Sequence, residues 1–220
     1  MYKTIFLETL KGKSLSRTLQ NIFLSKIEIS GQTMDLGARS KKSSYYRFLK
    51  IKPDTIVIFT DLHPTQEGVL KLDLIKKFPV QENSKDFLLL NNVLEHIFEY
   101  QTCIDESFKA LKPGGKLIGV VPFMRGIHLD PDDYFRYTSS SLKKIFKNSG
   151  FTHVEITPLG FGPISTGVSQ YAWIARIKLL TAAILMVSIF ADKILNKMFK
   201  HNDLLKAKNN PLSYSFVCTK

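Results

Sequence analysis

The chain has 220 residues, 44% of them hydrophobic and 23% charged, with a formal net charge of +12. This balance excludes a disordered chain, and the length suits one α/β domain with an appendage or two very small domains. Two cysteines, Cys103 and Cys218, are too few and too far apart for a disulfide framework or a zinc site, which fits a reducing compartment. Lys3, Glu8, Lys11 and Lys13 interrupt the N-terminal stretch and argue against a secretory signal, so a cytoplasmic protein is expected.

In chain order, Ser14 or Ser16 is placed to cap a helix whose apolar face is Leu15, Leu19, Ile22 and Phe23, a cover helix within residues 1–30. After Gly31 the pattern alternates. It predicts a strand near Thr33 to Leu36, a helix around Tyr45 to Lys50, a strand from Thr55 to Thr60, and a short strand from Val69 to Leu72. An apolar strand, Phe87 to Leu90, precedes a helix from about Phe98 to Leu111 and a strand from Leu117 to Val121. Thr138 caps a helix over Ser139 to Asn148 that Gly150 stops; strands follow at His153 to Thr157 and Tyr214 to Thr219. Short continuous apolar strands separated by helical patterns predict a mostly parallel sheet covered by helices on both faces. The main domain is then 31–164 with 211–220, and 165–210 is a helical, basic and apolar insertion between the last two strands.

Ligands of an open parallel sheet bind beyond the carboxyl ends of its strands, and three acids stand there. Asp35 and Gly37 close the first strand, Asp61 follows the second, and Asp73 the third. An acid after the second strand can accept hydrogen bonds from both hydroxyls of a ribose, and a glycine lets backbone approach a ligand. That suits an adenosine-containing cofactor. Only the first glycine of a G-x-G-x-x-G loop is present, so a dinucleotide loses weight.

The motifs Leu94-Glu95-His96 and Leu111-Lys112-Pro113-Gly114-Gly115 stand in order on either side of the predicted helix. With these motifs the chain resembles the class I S-adenosylmethionine-dependent methyltransferases over roughly residues 31–160 and the final strand. The resemblance implies a Rossmann-like, mostly parallel seven-stranded α/β sheet with helices on both faces and an antiparallel last strand. It also implies S-adenosyl-L-methionine as cofactor. Asp35 and Gly37 would border its methionine moiety, Asp61 its ribose, and Asp73 and Leu74 its adenine edge. Leu62 would pack on the adenine, and Asn91 and Asn92 would lie near the reacting sulfonium. One position departs from the pattern: Arg39 stands where the family usually has a second glycine.

The densest polar and aromatic stretch, Gly126 to Thr138, lies just past the fifth strand and is the candidate acceptor side. His128 would titrate near neutral pH as the catalytic base, while Asp132, Tyr134, Arg136 and Tyr137, with His96 at the start of the helix after the fourth strand, would line a sugar-like or carboxylated acceptor. The alternative is a structural loop in which Asp132 or Asp133 pairs with Arg136 and the aromatic rings pack on the sheet. The stretch is similar to one in methyltransferases associated with cell-surface polysaccharide synthesis, so a small-molecule or glycan-type acceptor is expected. No metal-ligand spacing joins the histidines and cysteines, and no metal is expected.

Half of the excess charge lies in residues 171–220, which carry eight Lys and Arg against two acids. It flanks the most apolar run, Leu179 to Ala191, which is shorter than the roughly 20 residues of a spanning helix. An apolar helix between Arg176, Lys178, Lys193, Lys197 and Lys200 suits attachment of 171–200 to an anionic membrane surface; packing on its own domain or on a second copy is the alternative. Trp173 would anchor that insertion. A nucleic-acid methyltransferase is the runner-up from the net charge, weakened because Asn91 is followed by Asn92-Val93-Leu94 rather than Pro-Pro-aromatic. A non-catalytic protein that keeps the fold is the third reading.

Overall fold

The computed structural model describes residues 1–38, 43–172 and 177–220. Arg39, Trp173 and Arg176 therefore lie outside the described residues. The chain divides into two compact units: 1–23, 122–126 and 158–214 form one, and 24–121, 127–157 and 215–220 the other.

The larger unit is built on a seven-stranded sheet. Its strands are β2 (Gln32–Leu36), β4 (Ile56–Asp61), β5 (Val69–Lys71), β6 (Lys85–Asn91), β7 (Leu111–Pro122), β8 (His153–Leu159) and β9 (Ser213–Thr219), in the order β5-β4-β2-β6-β7-β9-β8. The pairs β2/β4, β2/β6, β4/β5 and β6/β7 are parallel. Main-chain bonds tie Gly114 and Gly115 to Lys220 at one end of β7 and Phe123 to Leu212 at the other, which makes β9 antiparallel. The fold is thus the mostly parallel α/β sheet with an antiparallel last strand that the sequence predicts.

Leu88, Leu89 and Leu90 are all fully buried, as expected of a strand covered on both faces. Packing beside them is tight: a Cβ on Gly119 of β7 would lie 2.0 Å from the Leu90 carbonyl oxygen and 2.5 Å from Phe216 Cζ. Helix α3 (Tyr100–Ala110) buries Cys103 and Ile104, and α4 (Ser139–Asn148) buries Leu142, Ile145 and Phe146. The α4 start carries a reciprocal cap: Thr138 Oγ1 accepts from the Ser141 backbone and Ser141 Oγ from the Thr138 backbone. Gly150 follows at φ +102, a conformation that closes the helix without a Cβ penalty.

One predicted element is absent. Residues 44–48 form turns rather than a helix, and the chain then leaves as β3 (Lys50–Ile51) to pair in parallel with β1 (Glu28–Ile29). The amides of Lys50 and Lys52 donate to the Ile27 and Ile29 carbonyls, so this strand pairing takes the backbone bonds that a helix would have used.

The smaller unit holds α1 (Tyr2–Leu10), α2 (Leu15–Leu24, all but its last residue), α5 (Pro163–Tyr171) and α6 (Lys178–Met198). Ser14 Oγ accepts from the Arg17 amide at the start of α2, as its capping role predicts. Ile5, Leu15, Leu19, Leu185, Ile189 and Leu212 form the core. At 21 residues α6 outruns its apolar stretch, and it is long and apolar enough to cross a membrane by length and composition. Its inner face holds Asp192, fully buried, whose carboxylate accepts from the amides of Ile164 and Ser165 at 3.0 and 2.8 Å and from Ser165 Oγ at 2.5 Å. The anion thereby satisfies orphan donors at the α5 N-terminus, where the helix dipole also favours it.

Replacing this anchor should show its weight. Asp192→Ala strands buried donors and is expected to cost about 3 kcal/mol in urea unfolding. A loss below about 1 kcal/mol would mean that the carboxylate does not hold α5.

Candidate active site

Because β5, β4, β2 and β6 are parallel neighbours, their carboxyl ends share one edge, and the predicted cofactor residues gather along it. Asp35 lies one residue from the end of β2, Asp61 ends β4, Asn91 ends β6, and Asp73 stands two residues beyond β5. Asp61 Oδ1 accepts from the His63 amide at 2.8 Å, and Asp73 accepts from the Ile75 amide and pairs with Lys76 at 3.1 Å. Leu62 is exposed and Leu74 buried, so Leu62 is free to pack on a ligand face while Leu74 belongs to the core. Asn92 takes a positive φ of 53° as the chain leaves β6, with its amide bonded to the Val120 carbonyl at 2.8 Å.

Two features of the first loop were hidden in the sequence. Gly37 has φ +68, and a Cβ there would lie 2.7 Å from Val93 Cγ2. The missing side chain makes room for Val93 where the two loops meet. Asp35 is fully buried, and Tyr45 and Tyr46 both donate their hydroxyls to its Oδ2, the latter at 2.6 Å. Its Oδ1 has no hydrogen-bond partner among the described residues. Burial pushes its carboxyl up to about 6, although the two tyrosine hydrogen bonds pull the other way. A buried carboxylate oxygen at the first strand end fits the ammonium of the cofactor's methionine part.

The candidate acceptor side is built on one turn. After β6 the chain makes a single 3₁₀ turn, Leu94–His96, and the loop 127–138 is bonded to it. The Glu95 carbonyl accepts from the amides of Tyr134 and Phe135, the Leu94 carbonyl from Tyr137 Oη, and the Asp132 carbonyl from His96 Nδ1 at 2.6 Å. Within the loop Arg136 binds Asp133 through both terminal nitrogens, at 2.5 and 2.6 Å, and Asp133 also accepts from the His128 amide. The Arg136 guanidinium holds the Asp133 carboxyl well below the usual carboxylate range. Arg136 is therefore engaged structurally, as the alternative reading of this loop foresaw. Tyr134 is exposed and donates to Asp132 Oδ2; Tyr137 is buried.

His96 and His128 do meet, with ring centroids 5.0 Å apart and edge-on. Between them stands Glu95, a fully buried carboxylate that the sequence reading passed over: each histidine Nε2 lies 3.8 Å from Glu95 Oε1. The sequence separation of 32 between the two histidines hides this grouping from spacing rules, although Glu95 was in view within the Leu-Glu-His motif.

Residues 44–119 match a family model described as "Methyltransferase domain". This segment carries Asp61, Asp73, Asn91 and the Leu94–His96 turn on the edge described above. Over this segment the chain resembles a methyltransferase domain. It is 28% identical over 153 residues to an arsenite methyltransferase of Halobacterium salinarum, which covers 58% of this chain and 39% of that protein. Among solved structures it is similar in fold to a SAM-dependent methyltransferase from Archaeoglobus fulgidus, with TM-score 0.57, 16% identity, and 94% and 92% of the two chains covered. It also resembles phosphoethanolamine N-methyltransferase 2 of Haemonchus contortus in complex with S-adenosyl-L-methionine, with TM-score 0.54 and 15% identity. There 91% of this chain but 52% of the other is covered, so the chain spans about half or less of these two named enzymes. The 127–138 loop lies outside the segment matched by this methyltransferase-family model.

The Asp35 shift has a sign that can be tested. An acid whose folded value stands above its unfolded one stabilises the fold only while protonated, so stability from this group is lost as pH rises from about 4 through 6. The loss levels off at about 3 kcal/mol by pH 8. Asp35→Asn is expected to remove that loss, so the mutant-minus-native difference in unfolding free energy should grow between pH 4 and 7. A flat difference would contradict the raised value.

Proposed function

We propose that this chain transfers a methyl group from S-adenosyl-L-methionine to a hydroxyl of a small-molecule or glycan-type acceptor held by the 127–138 loop. The observation that carries the reading is the joining of two constellations by β6. Asp35, Asp61 and Asn91 share its edge of the sheet, and the turn that immediately follows it holds Glu95, His96 and His128. The cofactor supplies a methyl on a sulfonium, which leaves as a neutral thioether. The chain's own residues position the partners: Asp35 faces the methionine ammonium, Asp61 the ribose hydroxyls and Leu62 the adenine, while Asn91 and Asn92 border the reacting end. Such positioning supplies much of the rate of a displacement. A hydroxyl must also lose its proton, and His128, partly exposed beside the buried Glu95, is the group placed to take it. The polar and aromatic loop suits a sugar-like acceptor, which supports a role in cell-surface polysaccharide synthesis.

The same reading places the protein in the cytoplasm, resting on a membrane. Helix α6 turns Leu180, Ile184, Val187, Phe190, Ile194 and Met198 outward, an apolar stripe at helical spacing on the face opposite Asp192. Lys178, Lys193, Lys197 and Lys200 border it, and this positive charge complements an anionic bilayer into which the stripe can sink. Spanning would draw the buried Asp192 away from α5, so the helix is read as lying in the interface.

Asp61→Ala removes a charge-assisted bond worth about 1.5 to 3 kcal/mol, so S-adenosylhomocysteine should bind roughly 10 to 150 times more weakly in calorimetric titration. Affinity within twofold of native in a folded variant would overturn the ribose assignment. In vesicle co-sedimentation, the native chain should pellet with phosphatidylserine-containing liposomes at low salt and less completely at high salt. If it stays in the supernatant with and without phosphatidylserine at both salt levels, the membrane reading fails.

A further inference from the structure

Two adjacent tyrosines reach one atom in the first loop: Tyr45 and Tyr46 both donate to Asp35 Oδ2. On a helix, neighbouring side chains project about 100° apart and would diverge from a single acceptor. The turns over 44–48 bring them together instead. The Tyr46 amide donates to the Ser43 carbonyl at 3.1 Å, and the Phe48 and Leu49 amides to the Tyr45 carbonyl at 2.9 and 3.2 Å. The two tyrosine rings then lie 4.9 Å apart, and Tyr46 rests on Phe59 of β4 with centroids 5.3 Å apart. The segment that the sequence predicts as a helix is thus folded around the Asp35 carboxylate.

Burial sets the chemistry of the pair. Asp35 is fully buried, and a carboxylate there persists as an anion only where donors answer it. Burial, and then the Asp35 charge, push both phenols well above their usual range, so they remain protonated donors across neutral pH. Two donors occupy Oδ2 and leave Oδ1, which has no hydrogen-bond partner among the described residues, as the accepting atom still open. The surrounding strands are neutral at this level: Asp35 pairs in register with Phe59 of β4 and Leu89 of β6, and β6 ends in Asn91. Arg47, next along the turn, lies over the Phe48 ring at 4.8 Å. Among the described residues, the titratable groups that act on the Asp35 carboxyl are the two tyrosines.

We propose that Tyr45 and Tyr46 are positioning residues for the methionine end of the cofactor: their hydroxyls hold Asp35 as an anion through Oδ2 and so offer Oδ1 to the ligand's ammonium. The inference rests on the reading of this edge as the adenosyl cofactor site, and it gives the turn a role in binding beyond packing. An ammonium on Oδ1 completes the arrangement, since both oxygens of the carboxylate then meet donors. Without the phenols the buried carboxyl takes up a proton at higher pH, and a neutral acid holds an ammonium weakly.

The test is calorimetric titration of the full-length chain with S-adenosylhomocysteine at pH 6, 7 and 8.5, comparing the native protein with Tyr46→Phe and with the Tyr45→Phe/Tyr46→Phe pair. Phenylalanine keeps the ring contacts and removes only the hydroxyl. Binding needs the ionised carboxyl, so native affinity should fall as pH drops through about 6. Each hydroxyl removed should raise that midpoint by about one pH unit or more. At pH 6, Tyr46→Phe should therefore bind about fivefold more weakly than native and the double variant more than about tenfold, with both ratios shrinking several-fold by pH 8.5. Affinity within twofold of native at pH 6 in the double variant, or in Tyr46→Phe if the pair fails to fold, overturns the tyrosine role. So does a loss of the same size at all three pH values, which is what a merely structural role would give. Either result leaves the cofactor reading standing. No binding by the native chain at any of the three pH values would sink that reading, and this inference with it.

Discussion

The turn Leu94–His96 is the constraint on which the 127–138 loop depends. Its three residues supply two carbonyls that fix Tyr134, Phe135 and Tyr137, a ring nitrogen that fixes Asp132, and the buried Glu95 carboxylate. The turn is itself rigid because it continues β6, a strand buried on both faces and paired on both sides. A loop rich in polar groups is thus held in register by a core strand, which is how a fold positions chemistry that a free loop would scatter.

Both ends of the site concentrate buried charge at a cost in stability. Asp35 is buried, with two tyrosine hydroxyls donating to it among the described residues, and its ionised form at neutral pH is maintained against desolvation. Glu95 is wholly buried with two histidines at 3.8 Å. An ammonium beside Asp35 would supply the opposite charge that its carboxylate favours. Asp192 shows the contrasting case, where helix amides and a hydroxyl already answer the charge and the result is structural.

Much of the sheet was legible because apolar runs such as Phe87 to Leu90 are bounded by turns, and the cap at Thr138 and stop at Gly150 carry local signals. The helix expected over Tyr45 to Lys50 was not legible as a turn, since its replacement depends on β1, which lies about 20 residues earlier in the chain. Helix α1 was missed because its apolar positions are broken by charge and it gains its burial from a core with Leu185 and Ile189, far along the chain. In the site, acids at strand ends could be read from order alone. The partnership of Glu95 with His128, the claim of two tyrosines on Asp35, and the pairing of Arg136 with Asp133 depend on how a loop folds back, which spacing does not encode. Arg39, whose departure from the glycine pattern was the clearest anomaly in the sequence, lies outside the described residues.

The central claim is that one edge of the sheet binds the adenosyl cofactor beside the turn that carries the acceptor groups. Amide hydrogen exchange of the full chain with and without S-adenosylhomocysteine tests it most directly, because it reports where the ligand sits rather than only that it binds. The account predicts added protection in peptides covering 35–38, 60–63 and 91–97, with little change over 139–148. Protection confined to other segments, or none at saturating ligand, would contradict it.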